Sequence, residues 1–238
     1  MSAAVARGLL QVRLLLSTFT PYSRGLELQD ALAEAVARRA TPDQLLLVQH
    51  APVYTIGKRG SSRDFRSTPD QIRDLGAIIH SSPRGGEVTF HGPGQLVAYP
   101  IVHLRDRQLG ARAYVESLED ALIDSLREYG IKARGRVPGG TGVWVGDRKI
   151  AAVGVRISRG VASHGIALNV CTDLSWFRHI VPCGFRDKGV TSIAAELGQA
   201  NVGVEEAAAV FTEALGRRLL YGTLESVGEA IPAVVGAI

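Results

Sequence analysis

Apolar residues recur along this chain in two rhythms. Spacings of three and four predict amphipathic helices. Leu26, Leu28, Leu32, Ala33 and Val36 mark one over Leu26–Arg39, and Val115, Leu118, Leu122, Leu126 and Tyr129 mark another over Ala111–Tyr129, closed by Gly130. A third runs over Val204–Leu220, opened by Glu205 and Glu206, and Ser67-Thr68-Pro69 starts a short one through Leu75.

Short apolar or alternating runs predict strands at Val12–Leu16, Leu45–Gln49, Glu87–His91, Gln95–Leu104 and Ser163–Val170. Gly92-Pro93-Gly94 separates the third from the fourth. Val143–Val145 and Lys149–Ile157, joined by Gly146-Asp147-Arg148, form a hairpin. Strands interleaved with helices predict an α/β (α+β) single domain with a mixed sheet flanked by helices. It is expected over residues 12–222, between an N-terminal tail (1–11) and a C-terminal tail (223–238).

With 238 residues, 46% of them hydrophobic and 21% charged, the chain has the composition of a folded domain rather than of a disordered segment. The apolar runs are short, such as Leu45–Val48 and Ile150–Val155, well below the roughly 20 residues of a bilayer-spanning helix. The two cysteines, Cys171 and Cys183, form no disulfide framework and lack zinc-site spacing, so no metal is expected. The net charge of +4 is unevenly spread. Residues 131–160 hold Lys132, Arg134, Arg136, Arg148, Lys149, Arg156 and Arg159 against Asp147 alone. Such a patch predicts an acidic partner. It has few aromatic residues and no groove-reading motif, so nucleic acid is not expected. Residues 1–26 contain three arginines and no acid. That suits an organelle transit segment or a tail leading into the first strand.

Four segments carry candidate chemistry. Arg84-Gly85-Gly86-Glu87-Val88-Thr89-Phe90-His91 puts glycines, which let a ligand approach main chain, beside Arg84 and His91; it also reads as a strand between turns. In Lys149-Ile150-Ala151-Ala152-Val153-Gly154-Val155, alternation puts Lys149 on the face of Ala151, Val153 and Val155, against an apolar cavity or as a solvated lysine after a turn. His164, in Ser163-His164-Gly165-Ile166-Ala167, is an acid–base candidate or a structural histidine. Cys183, between Pro182 and Gly184, sits in a turn where thiols react, whereas Cys171 at a strand end suits a buried structural thiol.

In this order the blocks resemble the octanoyltransferases of lipoate biosynthesis, also called lipoyl(octanoyl) transferases. The resemblance runs from Tyr22 to the Val204 helix and is carried by Arg84–Gln95, Thr141-Gly142-Val143-Trp144, Lys149–Arg156, Ser163–Asn169, Val181-Pro182-Cys183-Gly184 and Val190-Thr191-Ser192. Gly142–Ser158 is closest to plant-type members. The resemblance implies the fold of lipoate– and biotin–protein ligase catalytic domains. It also implies transfer of an octanoyl group from acyl carrier protein to a lysine of lipoyl domains, those of the 2-oxoacid dehydrogenases and the glycine cleavage H protein. No cofactor or ATP is implied. Matched by motif, Cys183 is the nucleophile and Lys149 its partner. Arg84–His91, Ala152-Val153-Gly154 and Gly165-Ile166-Ala167 line the acyl pocket. A mitochondrial matrix location is expected, with the bacterial cytoplasm as the alternative. The rival readings are an ATP-dependent lipoate or biotin ligase, a non-catalytic module binding acyl or lipoyl domains, and a thioesterase.

Overall fold

The computed structural model describes residues 8–181, 188–199 and 202–228. In chain order the N-terminal half comprises β1 (Leu9–Thr20), α1 (Tyr22–Ala37), β2 (Asp43–His50), β3 (Val53–Ile56), α2 (Pro69–Asp74), β4 (Ile78–Ser81), β5 (Val88–His91), β6 (Gln95–His103) and α3 (Ala111–Glu128). The C-terminal half comprises β7 (Gly142–Val145), β8 (Arg148–Ser158), β9 (Val161–Asn169), β10 (Gly189–Val190), α4 (Ile193–Leu197), α5 (Val204–Arg218) and β11 (Thr223–Ser226).

Eight strands form one mixed sheet in the order β10-β8-β9-β6-β2-β1-β11, with β7 also paired to β8. β2 explains why this sheet needs helices on both faces. Successive side chains of a strand point to opposite sides, and β2 is apolar on both. Leu45 and Leu47 pack with Tyr114, Leu118, Leu122 and Leu126 of α3 and Phe211 and Leu215 of α5. Leu46 and Val48 pack with Leu28, Leu32 and Val36 of α1. α2 starts where the sequence signals it: the Thr68 hydroxyl accepts from Gln71 N at 3.3 Å and Gln71 Oε1 accepts from Thr68 N at 2.9 Å.

A smaller sheet, β4-β3-β5, covers its own aromatic core of Tyr54, Phe90 and Phe177. β3 and β4 lie in stretches whose apolar runs are too short to stand out in the sequence. Both expected tails contribute strand residues. β1 starts at Leu9 and β11 at Thr223, and the two pair in parallel. α1 begins at Tyr22, one turn before the expected Leu26.

The expected basic patch is not a patch. Arg134 pairs with Asp147, Arg136 with Asp120, Arg148 with Glu196, Arg156 with Asp30 and Arg159 with Glu34. Four of these five acids lie outside residues 131–160, which is why a count along the sequence overstated the local charge.

Candidate active site

One cavity opens between the Arg84–His91 segment and the β8–β9 pair. Its lining includes Tyr22, Arg84, Gly86, Glu87, Val88, Thr89, His91, Val97, Tyr99, Thr141, Lys149, Ala152, Val153, Gly154, His164, Gly165, Ile166 and Ala167. Three chain segments far apart in sequence meet here because β6 crosses the sheet between β2 and β9, and Gly92–Gly94 turn β5 into β6.

Two expected lining residues lie elsewhere. Phe90 points into the small sheet's core, with its ring stacked on Trp176 at 5.0 Å between centroids, because alternation along β5 sends it away from Thr89. Gly85 is held on the outer side by its N–H, which donates to Val155 O at 2.9 Å.

Lys149 reaches the cavity through an irregularity in the sheet. In the β7–β8 ladder Val143 pairs with Ala151 but Trp144 with Lys149, so Ile150 is an extra residue. A bulge of this kind shifts the alternation by one. Lys149 therefore joins Ala152 and Gly154 in the cavity lining. Simple alternation had put it with Ala151, which is in the hydrophobic core. The ammonium, on a residue only 5% exposed, donates to Thr141 O at 2.9 Å and lies 4.9 Å from the Trp144 ring centre. That carbonyl is itself positioned. Buried Glu119 on α3 accepts from Gly142 N at 2.8 Å and Arg136 N at 2.9 Å, fixing the 136–142 loop from both ends.

The opposite wall is a chain of internal hydrogen bonds. Arg84 donates to Thr55 O (2.8 Å), Thr55 Oγ1 (2.7 Å), Gly85 O (2.9 Å) and Glu87 O (3.0 Å), so these donors hold the glycine loop to β3 rather than reach for a ligand. Gln95 Nε2 donates to Phe90 O and Asn169 Oδ1, leaving its oxygen to accept from His91 Nδ1 at 2.8 Å. His91 Nε2 is then the acceptor for the Thr55 hydroxyl at 3.3 Å. His50 repeats the logic. Its Nδ1 donates to Thr20 O at 2.8 Å, and its Nε2 accepts from Tyr99 OH at 2.7 Å.

All three histidines here are neutral at physiological pH. Burial brings His50 down to about 4. It holds His91 well below its usual range, helped by His50 and Arg84. Burial, then Arg84 and Arg156, bring His164 to about 3. His164 is also twisted to a φ of 56°. Pairing of β6 with β9 is interrupted between Ala98↔Ile166 and Val102↔Ala162, the stretch containing Pro100, which has no N–H. The His164 N–H leaves the ladder and donates to Gln29 Oε1 of α1 at 2.8 Å.

Cys183 lies outside the described residues, but the chain on both sides of it is placed. Val181 N donates to Asp64 O at 2.8 Å. Val190 pairs with Lys149 in the β10–β8 ladder, and Thr191 N donates to Lys149 O at 2.9 Å. Cys171 is exposed rather than buried as expected, and its thiol is pushed up by desolvation and by the Glu205 carboxylate. Among the described residues no group of three His, Cys, Asp or Glu side chains is placed to hold a metal, and no helix is long and apolar enough to cross a membrane. Val97 and Tyr99 were not picked out by motif, because they sit on a strand that reads as ordinary core.

A family model described as the lipoyl protein ligase A/B catalytic domain matches residues 21–216. A mitochondrial octanoyltransferase of Arabidopsis thaliana is 49% identical over 175 residues, covering 74% of both chains. An octanoyltransferase of Rubrobacter xylanophilus is 48% identical over 202 residues, covering 83% of this chain and 90% of its own. The crystal structure of a lipoate-protein ligase A bound with ATP superposes with a TM-score of 0.72 at 20% identity, covering 95% of this chain and 90% of that one, a likeness of fold. The chain therefore belongs to the lipoyl protein ligase A/B catalytic-domain family, among its octanoyltransferases, and is an acyltransferase.

Proposed function

We propose that this enzyme moves an octanoyl group from octanoyl-acyl carrier protein to a lysine of a lipoyl domain through a thioester on Cys183. The observation that carries this reading is the pairing of Val190 with Lys149. It brings the chain that follows Cys183 back against the cavity's buried lysine.

In acylation the Cys183 thiolate attacks the donor's thioester carbon, and the carrier's thiol leaves with a proton. In deacylation a lipoyl-domain amine attacks the new thioester, its proton is taken up, and the Cys183 thiolate departs. An ammonium beside a thiol favours the thiolate, and a lysine held at one fixed point can take and return that proton. Lys149 meets the latter condition through the Thr141 carbonyl. The cavity's histidines, His91 and His164, do not compete for the proton, since burial already disfavours their charged forms.

Val97, Tyr99, Val153, Ile166 and Ala167 offer an apolar surface to the acyl chain. At roughly 0.8 kcal/mol per methylene, an eight-carbon chain gains several kcal/mol over a short one. Thioester exchange is near isoenergetic and amide formation runs downhill, so the transfer needs no ATP. That separates this reading from adenylate-forming ligases of the same fold. A mitochondrial relative supports a matrix location, and bacterial relatives support a cytoplasmic one. The acid-free start supports import less than its composition promised: Leu9–Thr20 is a strand, and Arg13 is buried, donating to Gln44 Oε1 at 3.0 Å.

The test is incubation with octanoyl carrier protein and a lipoyl domain without ATP, followed by intact mass of all three proteins. The expected result is an octanoyl adduct on the enzyme that passes to the acceptor. Cys183→Ala abolishes both and Cys171→Ala retains them. A wild-type enzyme that gains no mass rules the reading out.

A further inference from the structure

Once the 131–160 arginines are matched with their acids, the positive charge left near the cavity lies elsewhere. Residues 57–66 read Gly-Lys-Arg-Gly-Ser-Ser-Arg-Asp-Phe-Arg, with four cations and one acid. Lys58, Arg59, Arg63 and Arg66 are all exposed, and none makes an ion pair among the described residues. The lone acid is turned inward to the backbone: Asp64 Oδ2 accepts from Ser61 N at 2.7 Å.

This loop is fixed at both ends to the site. Gly57, Lys58 and Arg59 donate their N–H groups to Glu87 O, Arg84 O and Gly86 O at 3.0–3.1 Å, so its first turn rides on the cavity wall, and Arg59 reaches the cavity lining. At its far end Phe65 bridges to Ile180, Arg66 N donates to His179 O and Val181 N donates to Asp64 O, both at 2.8 Å. The four cations thus form a rim from the cavity mouth to Val181, held in place by main-chain bonds.

An acyl chain delivered on a carrier enters the cavity methyl end first. The thioester stops at the mouth and the carrier's body rests on the rim. We propose that the Lys58–Arg66 loop is the docking surface for the acidic face of the acyl donor's carrier protein. This rests on the octanoyl-transfer reading above and moves the acidic-partner surface away from residues 131–160. Charges unopposed by neighbours steer an oppositely charged partner, whereas charges already in ion pairs add little.

The test compares two donors with the full-length enzyme: octanoyl carrier protein, and the uncharged octanoyl thioester of N-acetylcysteamine. In Lys58→Glu/Arg63→Glu/Arg66→Glu, KM for the carrier-bound donor rises at least tenfold. KM for the small thioester stays within twofold. The fall of wild-type kcat/KM with added salt disappears for the carrier-bound donor. Arg63→Ala/Arg66→Ala, the milder change should charge reversal disturb folding, raises the carrier KM about threefold. Arg134→Glu/Arg148→Glu leaves it within twofold. Equal losses on both donors, a rise confined to the lipoyl-domain acceptor, or a larger effect from the Arg134/Arg148 pair would each overturn the assignment. If the wild-type enzyme is acylated by neither thioester, the octanoyl reading has failed and the docking surface falls with it. If it is acylated by both and the loop variant shows no change, only the surface is wrong.

Discussion

The two walls of the cavity are built on opposite plans. On the glycine-loop side, Arg84, Thr55, His91, Gln95 and Asn169 bond to one another, and the histidines are neutral. On the β8 side, a buried ammonium stands among Ala152, Val153 and Gly154, donating to the Thr141 carbonyl beside the Trp144 ring. The glycine-loop wall resembles an active site by residue type, but both terminal nitrogens of Arg84 and both ring nitrogens of His91 are bonded to the protein. The β8 wall has the pattern of a plain strand and holds a buried lysine. Residue chemistry alone points to the histidines; burial, which disfavours their charged forms, and the pairing of Val190 with Lys149 point to the lysine.

The sharpest way to break this contrast is at Lys149. Lys149→Met is expected to lower transfer by 10²–10⁴-fold, the usual contribution of a positioned acid–base group. It should also slow alkylation of Cys183 at pH 7. Lys149→Arg keeps the charge but cannot release a proton near neutrality, so alkylation and acyl-enzyme formation persist while amide formation falls. Single-turnover mass spectrometry separates the two steps. Normal transfer in folded Lys149→Met would return the lysine to a structural part.

Gly165 comes next, and here the glycine serves the fold. A Cβ on it would sit 2.4 Å from Ala98 O and 2.5 Å from Pro100 Cδ, in the neighbouring strand rather than in the cavity. Gly165 lines the cavity as expected, but its missing side chain makes room for β6. Gly165→Val is expected to destabilise by about 3 kcal/mol, at the upper end of overpacking costs, and to lower Tm without selecting shorter chains.

The histidine wall gives a pH signature. His50 at about 4 and His164 at about 3 lie below the ordinary 6.5. As pH falls below 6.5 the unfolded chain takes up protons that the native state refuses, so stability drops down to the native values and levels off below them. The loss is on the order of a few kcal/mol per histidine. Denaturant melts between pH 7 and pH 4 measure it. A His50→Gln variant flattens the upper part of the curve.

Much of this was legible in the sequence. The hairpin, α3 and α5 follow from spacing and caps, and the Arg84, Lys149 and Gly165 segments do meet at one cavity. What could not be read has identifiable causes. The bulge at Ile150 changes a face without changing the local pattern. Most of the charge of residues 131–160 is offset by acids contributed by α1, α3 and α4. The twist at His164 answers to Pro100 on another strand. Each is a pairing between distant segments, and periodicity reports only neighbours.

Glu119 tests how firmly the lysine must be held. Glu119→Gln keeps one acceptor oxygen for the two backbone donors now bound at 2.8 and 2.9 Å. Weakening one buried charge-assisted bond costs about 1–3 kcal/mol. A tenfold lower kcat with unchanged acyl-enzyme formation is expected, because the Thr141 carbonyl loses its fixed position. An equal loss in both half-reactions would instead mark Glu119 as a general support of the fold.

The smallest expected effect sharpens the comparison most finely, because Gly154 is where the walls touch. A Cβ there would lie 2.9 Å from Gly85 O and 3.3 Å from Arg84 Cδ. Unlike Gly165, it abuts the glycine loop. Gly154→Ala must push that loop outward by a few tenths of an ångström or narrow the passage between the walls. The Arg84 bonds to Thr55 and Glu87 resist the outward shift, so narrowing is expected. Octanoyl transfer then falls about three- to tenfold, roughly 1 kcal/mol, while hexanoyl transfer is spared. Competition between the two acyl carriers, read as product mass on one lipoyl domain, gives the ratio directly. An unchanged ratio with full stability would mean that the loop yields and that the room for the acyl chain is unchanged.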